Sequence, residues 1–185
     1  ASLPIRRVGV VLCVSLVGTL AVLSSKQSRM YRDVVTLYRT TLKRNPDAWM
    51  PHNNLGTILS AQGQKQEAIE HFRAAIRGKP NYFNGYLNLG MTLADTGQLP
   101  EAFVHLHKAI DLNPDSVDAH RGLGDALTNA GREAEAVNVY QAALALRPDD
   151  PLTLNNLGAA LTTISRLPQA IAHLQKAVRL KPDYA

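Results

Sequence analysis

From Trp49 onward the apolar positions follow a pattern that returns every 34 residues, an interval also marked by Pro46, Pro80, Pro114, Pro148 and Pro182. The first half of each period carries two leucines four apart: Leu55 and Leu59, Leu89 and Leu93, Leu123 and Leu127, Leu157 and Leu161. That offset stacks them on one helical face. Gly63, Gly97 and Gly131 then stand where the helix must stop, because glycine enters the left-handed conformation that closes a helix at little steric cost. Ser165 fills the fourth such place, so the last turn is expected to be the weakest. The second half carries Ala68, Ala102, Ala136 and Ala170, then Phe72, Leu106, Tyr140 and Leu174, then Ala75, Ala109, Ala143 and Ala177. Offsets of four and three define one buried stripe, and its small residues let two helices approach closely. Pro100 and Pro168 suit a first helical turn, where the missing N–H is not needed, and each period-marking proline stops the second helix.

The pattern predicts helical hairpins over residues 49–82, 83–116, 117–150 and 151–184. Residues 28–48 read as a lone second helix, with Val34, Tyr38 and Thr41 in the small, aromatic and small slots. Residues 1–27 do not fit a soluble array. Val8 to Leu23 has no charge and no polar face at any helical period, and Arg6, Arg7 and Lys26 flank it. As a helix it spans roughly 24 Å, short of the roughly 30 Å of a hydrocarbon core, a deficit that Ser24, Ser25 and snorkelling arginines cover. Three readings compete: a transmembrane helix, which is preferred, a cleaved signal peptide, and a buried soluble helix. Gly9, Cys13, Ser15, Gly18 and Ala21 suit packing against other transmembrane helices of the same parent chain.

The recurring Asn-Leu-Gly, glycine, alanine, aromatic, alanine and proline slots resemble tetratricopeptide repeats over residues 49–184. That resemblance implies an all-α fold, a right-handed superhelix of stacked antiparallel helix pairs whose first helices build a concave face; the apolar run adds an N-terminal apolar membrane helix before it. It also implies a role in holding peptides or protein surfaces. A second resemblance rests on residues 8–56: an apolar span, then Tyr31-Arg32-Asp33 with Leu37, then Asn45-Pro46-Asp47 and an Asn-Asn-Leu-Gly repeat start. This junction is similar to that of polytopic membrane glycosyltransferase-like proteins of the O-mannosyltransferase type with C-terminal repeats. Their acidic loop residues have no counterpart in this chain, so no catalytic residue carries over. Lys181-Pro182-Asp183-Tyr184-Ala185 parallels Lys79-Pro80-Asn81-Tyr82-Phe83, which leads into another repeat, so the sequence reads as a part of a longer membrane protein.

Charge narrows the partner class. The formal net charge is +5, from 20 Lys and Arg against 15 Asp and Glu. Eight of those bases and two of the acids lie in residues 1–48, leaving 12 bases against 13 acids in the repeats. A phosphate-neutralising stripe is therefore missing there, and nucleic-acid binding is not expected. Cys13 is the only cysteine, so no intrachain disulfide can form. Counting bases beside the apolar run favours repeats in the cytoplasm. The junction resemblance implies the periplasmic or lumenal side, which is the reading adopted.

First-helix positions that point away from the leucine face are Asn53, Asn54, Thr57, Asn84, Asn88, Met91, Arg121, Asp125, Asn155, Asn156 and Ala159. A carboxamide both donates and accepts, so a row of asparagines can pair with the backbone of an extended peptide without reading its sequence. This resembles the asparagine ladder of the O-linked N-acetylglucosamine transferase repeats; the alternative is that asparagine beside Leu-Gly is simply common in such repeats. A lysine and arginine clamp for a terminal carboxylate, as in chaperone-adaptor repeats, is missing. His71, His105 and His173 share one slot and His52 and His120 another, but equivalent slots lie roughly a helix-packing distance apart, about 10 Å, too far for one metal. No cofactor, metal or catalytic set is expected. Two functions remain: a membrane-anchored scaffold that binds a protein or peptide, or the substrate-recruiting or regulatory tail of a membrane glycosyltransferase.

Overall fold

The computed structural model describes residues 33–182, which fall into two compact units divided between Pro46 and Asp47. In the first, residues 33–44 form helix α1, whose last turn is tied by Thr41 Oγ1 donating to the Leu37 carbonyl at 2.9 Å. The apolar run Val8 to Leu23 lies outside the described residues. Among those described, no helix is long and apolar enough to cross a membrane.

The second unit is all-helical among its described residues. Its helices are α2 (Trp49–Ala61), α3 (Lys65–Gly78), α4 (Phe83–Asp95), α5 (Leu99–Leu112), α6 (Val117–Asn129), α7 (Glu133–Leu146), α8 (Pro151–Thr163) and α9 (Leu167–Leu180). They pack as hairpins α2–α3, α4–α5, α6–α7 and α8–α9, and each second helix also packs on the first helix that follows it. The backbones of the first helices α2, α4, α6 and α8 approach one another in order, whereas those of α3, α5, α7 and α9 stand farther apart and meet only through side chains such as Arg73 and Glu101. Where a stack curves, elements on the inner side crowd together, so the first helices form the inner face of this unit.

The apolar slots explain the pairing. Leu55, Leu89, Leu123 and Leu157 are buried, and none of the eight stripe alanines is more than 2% exposed. Between them, the glycine after each first leucine receives the large residue of the second helix. A Cβ on Gly56, Gly90, Gly124 or Gly158 would stand only 2.7, 2.7, 2.4 or 2.5 Å from Phe72, Leu106, Tyr140 or Leu174. Each hairpin thus closes by seating a bulky side chain directly on helix backbone. The resulting layer has no single centre, and each hairpin is stabilised by its neighbours.

Side-chain pairs also join successive hairpins. Arg73 Nη2 donates to both oxygens of Glu101 at 2.8 Å, and this bond holds the Glu101 carboxyl below its usual pKa despite partial desolvation. Lys65 Nζ meets Asp95 at 2.9 Å. In the first repeat the Trp49 and Tyr82 rings lie 4.6 Å apart, with Lys79 Nζ 4.2 Å from the Trp49 centroid.

Every first helix ends in the same way. The residue at the turn has positive φ: 79° at Gly63, 77° at Gly97, 70° at Gly131 and 61° at Ser165. The next amide donates back five residues at 2.9 Å in all four cases, from Gln64, Gln98, Arg132 and Arg166 to Leu59, Leu93, Leu127 and Leu161. Such closure is cheap for glycine, while a residue with a Cβ loses roughly 1–2 kcal/mol in this conformation. Ser165→Gly is therefore expected to stabilise the last hairpin by about 0.5–1 kcal/mol, the gain being trimmed by the greater freedom of glycine in the unfolded chain. Urea unfolding followed by circular dichroism checks this; an unchanged or lower midpoint would count against the strain.

Candidate functional site

The inner face of the second unit is built from one slot per first helix at Asn54, Asn88, Gly122 and Asn156, and a second at Thr57, Met91, Asp125 and Ala159. These positions follow the leucine stripe by a fixed helical offset, which is why one helix after another presents them to the same side. Side chains in these slots bond across repeats, to each other or to the residue just before the slot. Asn88 Nδ2 donates to Asn53 Oδ1 at 3.1 Å, linking α4 to α2. Asn156 Nδ2 donates to Asp125 Oδ1 at 2.8 Å, linking α8 to α6. Within a helix, Asn53 Nδ2 donates to Asn54 Oδ1 and Asn155 Nδ2 to Asn156 Oδ1, both at 3.4 Å.

Between these two ties the face changes character. Gly122 carries no side chain where its equivalents carry asparagine, and a Cβ there would lie 3.2 Å from both Met91 Cγ and Leu106 Cδ2. Met91 fills that space and is common to two recesses. The larger, about 450 Å³, is lined by Thr57, Ser60, Ala61, Lys65, Phe72, Asn88, Met91, Thr92 and Asp95. A small one of about 30 Å³ adjoins Met91, Ala94, Asp95, Gly122, Asp125 and Asn129.

Asp125 is fixed by more than Asn156. Tyr140 on α7 donates its hydroxyl to the same Oδ1 at 2.6 Å, and the Tyr140 oxygen also lies 3.4 Å from Thr128 Oγ1. Burial, together with the Asp125 carboxylate, pushes the Tyr140 hydroxyl well above its ordinary pKa, so it stays a donor. One carboxylate oxygen therefore joins α6, α7 and α8.

Arg121 is neutralised where it stands. Its Nη2 meets Asp118 at 2.7 Å and its Nη1 lies 3.7 Å from Asp150 Oδ2. Asp150, 7% exposed, caps α8 by accepting from the Thr153 amide at 2.9 Å and the Thr153 hydroxyl at 2.6 Å. Burial alone would raise the Asp150 pKa; the Thr153 bonds and the Arg121 and Arg147 cations outweigh it, and the net displacement is downward.

The sequence-predicted residues thus divide by role. Asn88, Met91, Asp125 and Asn156 come together on the inner face with side chains half-exposed. Asn53 is only 7% exposed and braces Asn88, while Thr57 Oγ1 donates to the Asn53 carbonyl at 3.0 Å. Asn84 is exposed near the start of α4. Asn54 and Asn155 are half-buried beside them. Lys65, Ser60 and Asp95 line the larger recess although the repeat pattern gives them no part, and Phe72, a residue of the buried stripe, lines it with them. A signal existed: partners across adjacent repeats are separated by 28 to 35 residues, close to one period, as in Arg73–Glu101, Lys65–Asp95 and Asn53–Asn88.

The histidines meet in a way that slot positions alone do not indicate. His52 and His71, from different slots of the first hairpin, bring their Nδ1 atoms to 2.8 Å, and His105 lies beside Tyr86 with ring centroids 5.8 Å apart. These are contacts between the two helices of a hairpin. Among the described residues no three metal-ligating side chains gather.

A family model described as a tetratricopeptide repeat matches residues 25–83, 87–151 and 134–185. No curated protein matches the chain. Among solved structures, that of MamA superposes with a TM-score of 0.75 at 21% identity, covering 85% of this chain and 94% of that one. YrrB, described as a TPR protein with an unusual peptide-binding site, superposes with a TM-score of 0.69 at 22% identity over 85% of this chain and 81% of its own. TTC0263, a thermophilic TPR protein in Thermus thermophilus, gives a TM-score of 0.69 at 26% identity, with 89% of each chain covered.

Proposed function

Because the chain belongs to the tetratricopeptide repeat family, we propose that the inner face of its second unit holds an extended segment of a partner protein. The observation that carries this reading is the pair of amide ties, Asn88 to Asn53 and Asn156 to Asp125. A carboxamide nitrogen has two hydrogens. Using one across the repeats fixes the side chain and leaves its second N–H, and at least one lone pair of its carbonyl oxygen, for a backbone laid along the face. The ordering entropy of these side chains is thereby met in the free protein, which favours binding. YrrB, with its peptide-binding site on the same fold, is consistent with such a use.

Asn54, Asn88 and Asn156 replaced together by alanine are expected to reduce retention of a degenerate octapeptide pool on the immobilised protein by about tenfold, the equivalent of about 1.4 kcal/mol. Helical circular dichroism is expected to stay unchanged. Equal retention by wild type and variant would reject the ladder.

The placement of this scaffold is also a proposal. The uncharged stretch Val8 to Leu23, flanked by Arg6, Arg7 and Lys26, supports a membrane anchor, and the junction over residues 8–56 supports the repeats being the extracytoplasmic, substrate-recruiting part of a glycosyltransferase-like membrane protein. Alkaline carbonate extraction of the full chain tests the anchor: recovery in the soluble fraction contradicts it.

A further inference from the structure

We infer that the partner segment carries a lysine or arginine beside an apolar side chain, the cation seated on Asp125 and the apolar group in the recess next to it. This rests on the peptide-holding reading above and specifies which segment is held.

Charge on the inner face is sparse. The described first helices carry only Asp95, Asp118, Arg121 and Asp125 as formal charges. Asp95 is paired with Lys65 at 2.9 Å, and Asp118 with Arg121 at 2.7 Å. Asp125 alone among these has no ion-pair partner among the described residues. Its Oδ1 is occupied by Tyr140 and Asn156, both neutral donors, at 2.6 and 2.8 Å. These bonds fix the carboxylate plane and leave the negative charge uncompensated. Oδ2 has no hydrogen-bond partner among the described residues and, since Asp125 lines the small recess, is available to a ligand. A preorganised anion of this kind favours a cationic donor, because charge-assisted hydrogen bonds are about twice as strong as neutral ones.

The surroundings select the form of the cation. Beside Asp125 the face is Met91, Ala94 and the bare backbone of Gly122. Methylene groups pack on such a surface, so a lysine or arginine side chain can lay its stem there and place its head on Oδ2. The adjoining recess of about 450 Å³ shares Met91 and has Phe72 and Ala61 in its wall, which suits an apolar neighbour on the same segment. Met91 is flexible and polarizable and can adjust to either.

A degenerate peptide pool, Ala-X8-Ala with free amines only where X supplies them, is passed over the immobilised full chain, and the retained fraction is sequenced. Wild type is expected to enrich peptides with Lys or Arg adjacent to Leu, Met or Phe. Asp125→Asn keeps an oxygen for Tyr140 and Asn156 but removes the charge; it is expected to lose that enrichment and to bind a selected peptide about fivefold more weakly, a difference that shrinks in high salt. Glu70→Gln, an exposed site on α3, removes the same net charge and is expected to leave the preference intact. Retention without a basic preference, or a preference that survives in Asp125→Asn, overturns the inference while the peptide-holding reading stands. Retention no greater than that of bare resin overturns both.

Discussion

Replacing Gly124 by alanine is expected to destabilise the array by about 2–3 kcal/mol, although the same change in an exposed helix would gain about 1 kcal/mol. The added Cβ would lie 2.4 Å from Tyr140 Cε1, 2.7 Å from Cδ1 and 2.8 Å from Cζ. An aromatic ring can usually rotate or slide away from such a contact. Here it is held at the far end, because its hydroxyl donates to Asp125 Oδ1 at 2.6 Å. Retreat breaks that bond and leaves a buried hydroxyl and its carboxylate acceptor poorly satisfied. The matched variant is Gly158→Ala. Its Cβ would stand nearly as close, 2.5 Å from Leu174 Cγ, but Leu174 is a flexible side chain, only half-buried on α9. It can move toward solvent, so Gly158→Ala should change stability by less than about 1 kcal/mol. Urea denaturation of the two proteins measures the contrast. Equal losses, or a gain in Gly124→Ala, would show that the Tyr140–Asp125 bond does not restrain the ring.

Asp150→Ala is the second large expected loss, about 2–3 kcal/mol near neutral pH. It removes the cap of α8, typically worth about 1 kcal/mol, and leaves the Thr153 hydroxyl and the Arg121 and Arg147 guanidiniums without their shared carboxylate. This contribution depends on pH. The folded-state pKa of Asp150 is depressed, chiefly because the Thr153 bonds and two cations overcome the effect of burial. Its stabilisation is therefore fully present above the unfolded value of about 3.9 and is lost as pH falls through the lower folded value. Thermal midpoints of wild type and Asp150→Asn should differ most above the unfolded carboxylate value and converge as pH falls below the lower folded one. Glu101 has a depressed pKa as well, but it titrates in both proteins and cancels in the comparison. A difference that persists unchanged into acid would rule out the linkage.

The legible part of this molecule was what the period repeats. Leucine and alanine slots recur because each hairpin must bury the same face against the next, and the turn glycines recur because each helix closes in the same conformation. At the exception the closure is kept: Ser165 at the fourth turn adopts φ 61°, and the bond from Arg166 to Leu161 is as short as at the glycine turns. The binding face was readable only as positions. Whether Asn88 reaches solvent or Asn53 depends on rotamers and on the separation of adjacent helices, and neither is encoded in slot identity. Asn53, placed on the face by its offset, is drawn in at 7% exposure by its bonds to Asn54 and Asn88. Asp125 shows the same limit from the other side. Its slot is Thr, Met or Ala elsewhere, so periodicity gave no reason to pair it with Tyr140 and Asn156 from the two succeeding helices.

Gly122 has a geometric consequence for the whole stack. Because it offers no side chain to Met91, α4 and α6 approach each other more closely than α2 and α4 or α6 and α8, where polar side chains intervene. The tightest approach between first helices is therefore at the midpoint of the unit. A larger side chain at that place would press on Met91 and on Leu106, the residue that closes the α4–α5 hairpin, and so would have to part α6 from the hairpin before it.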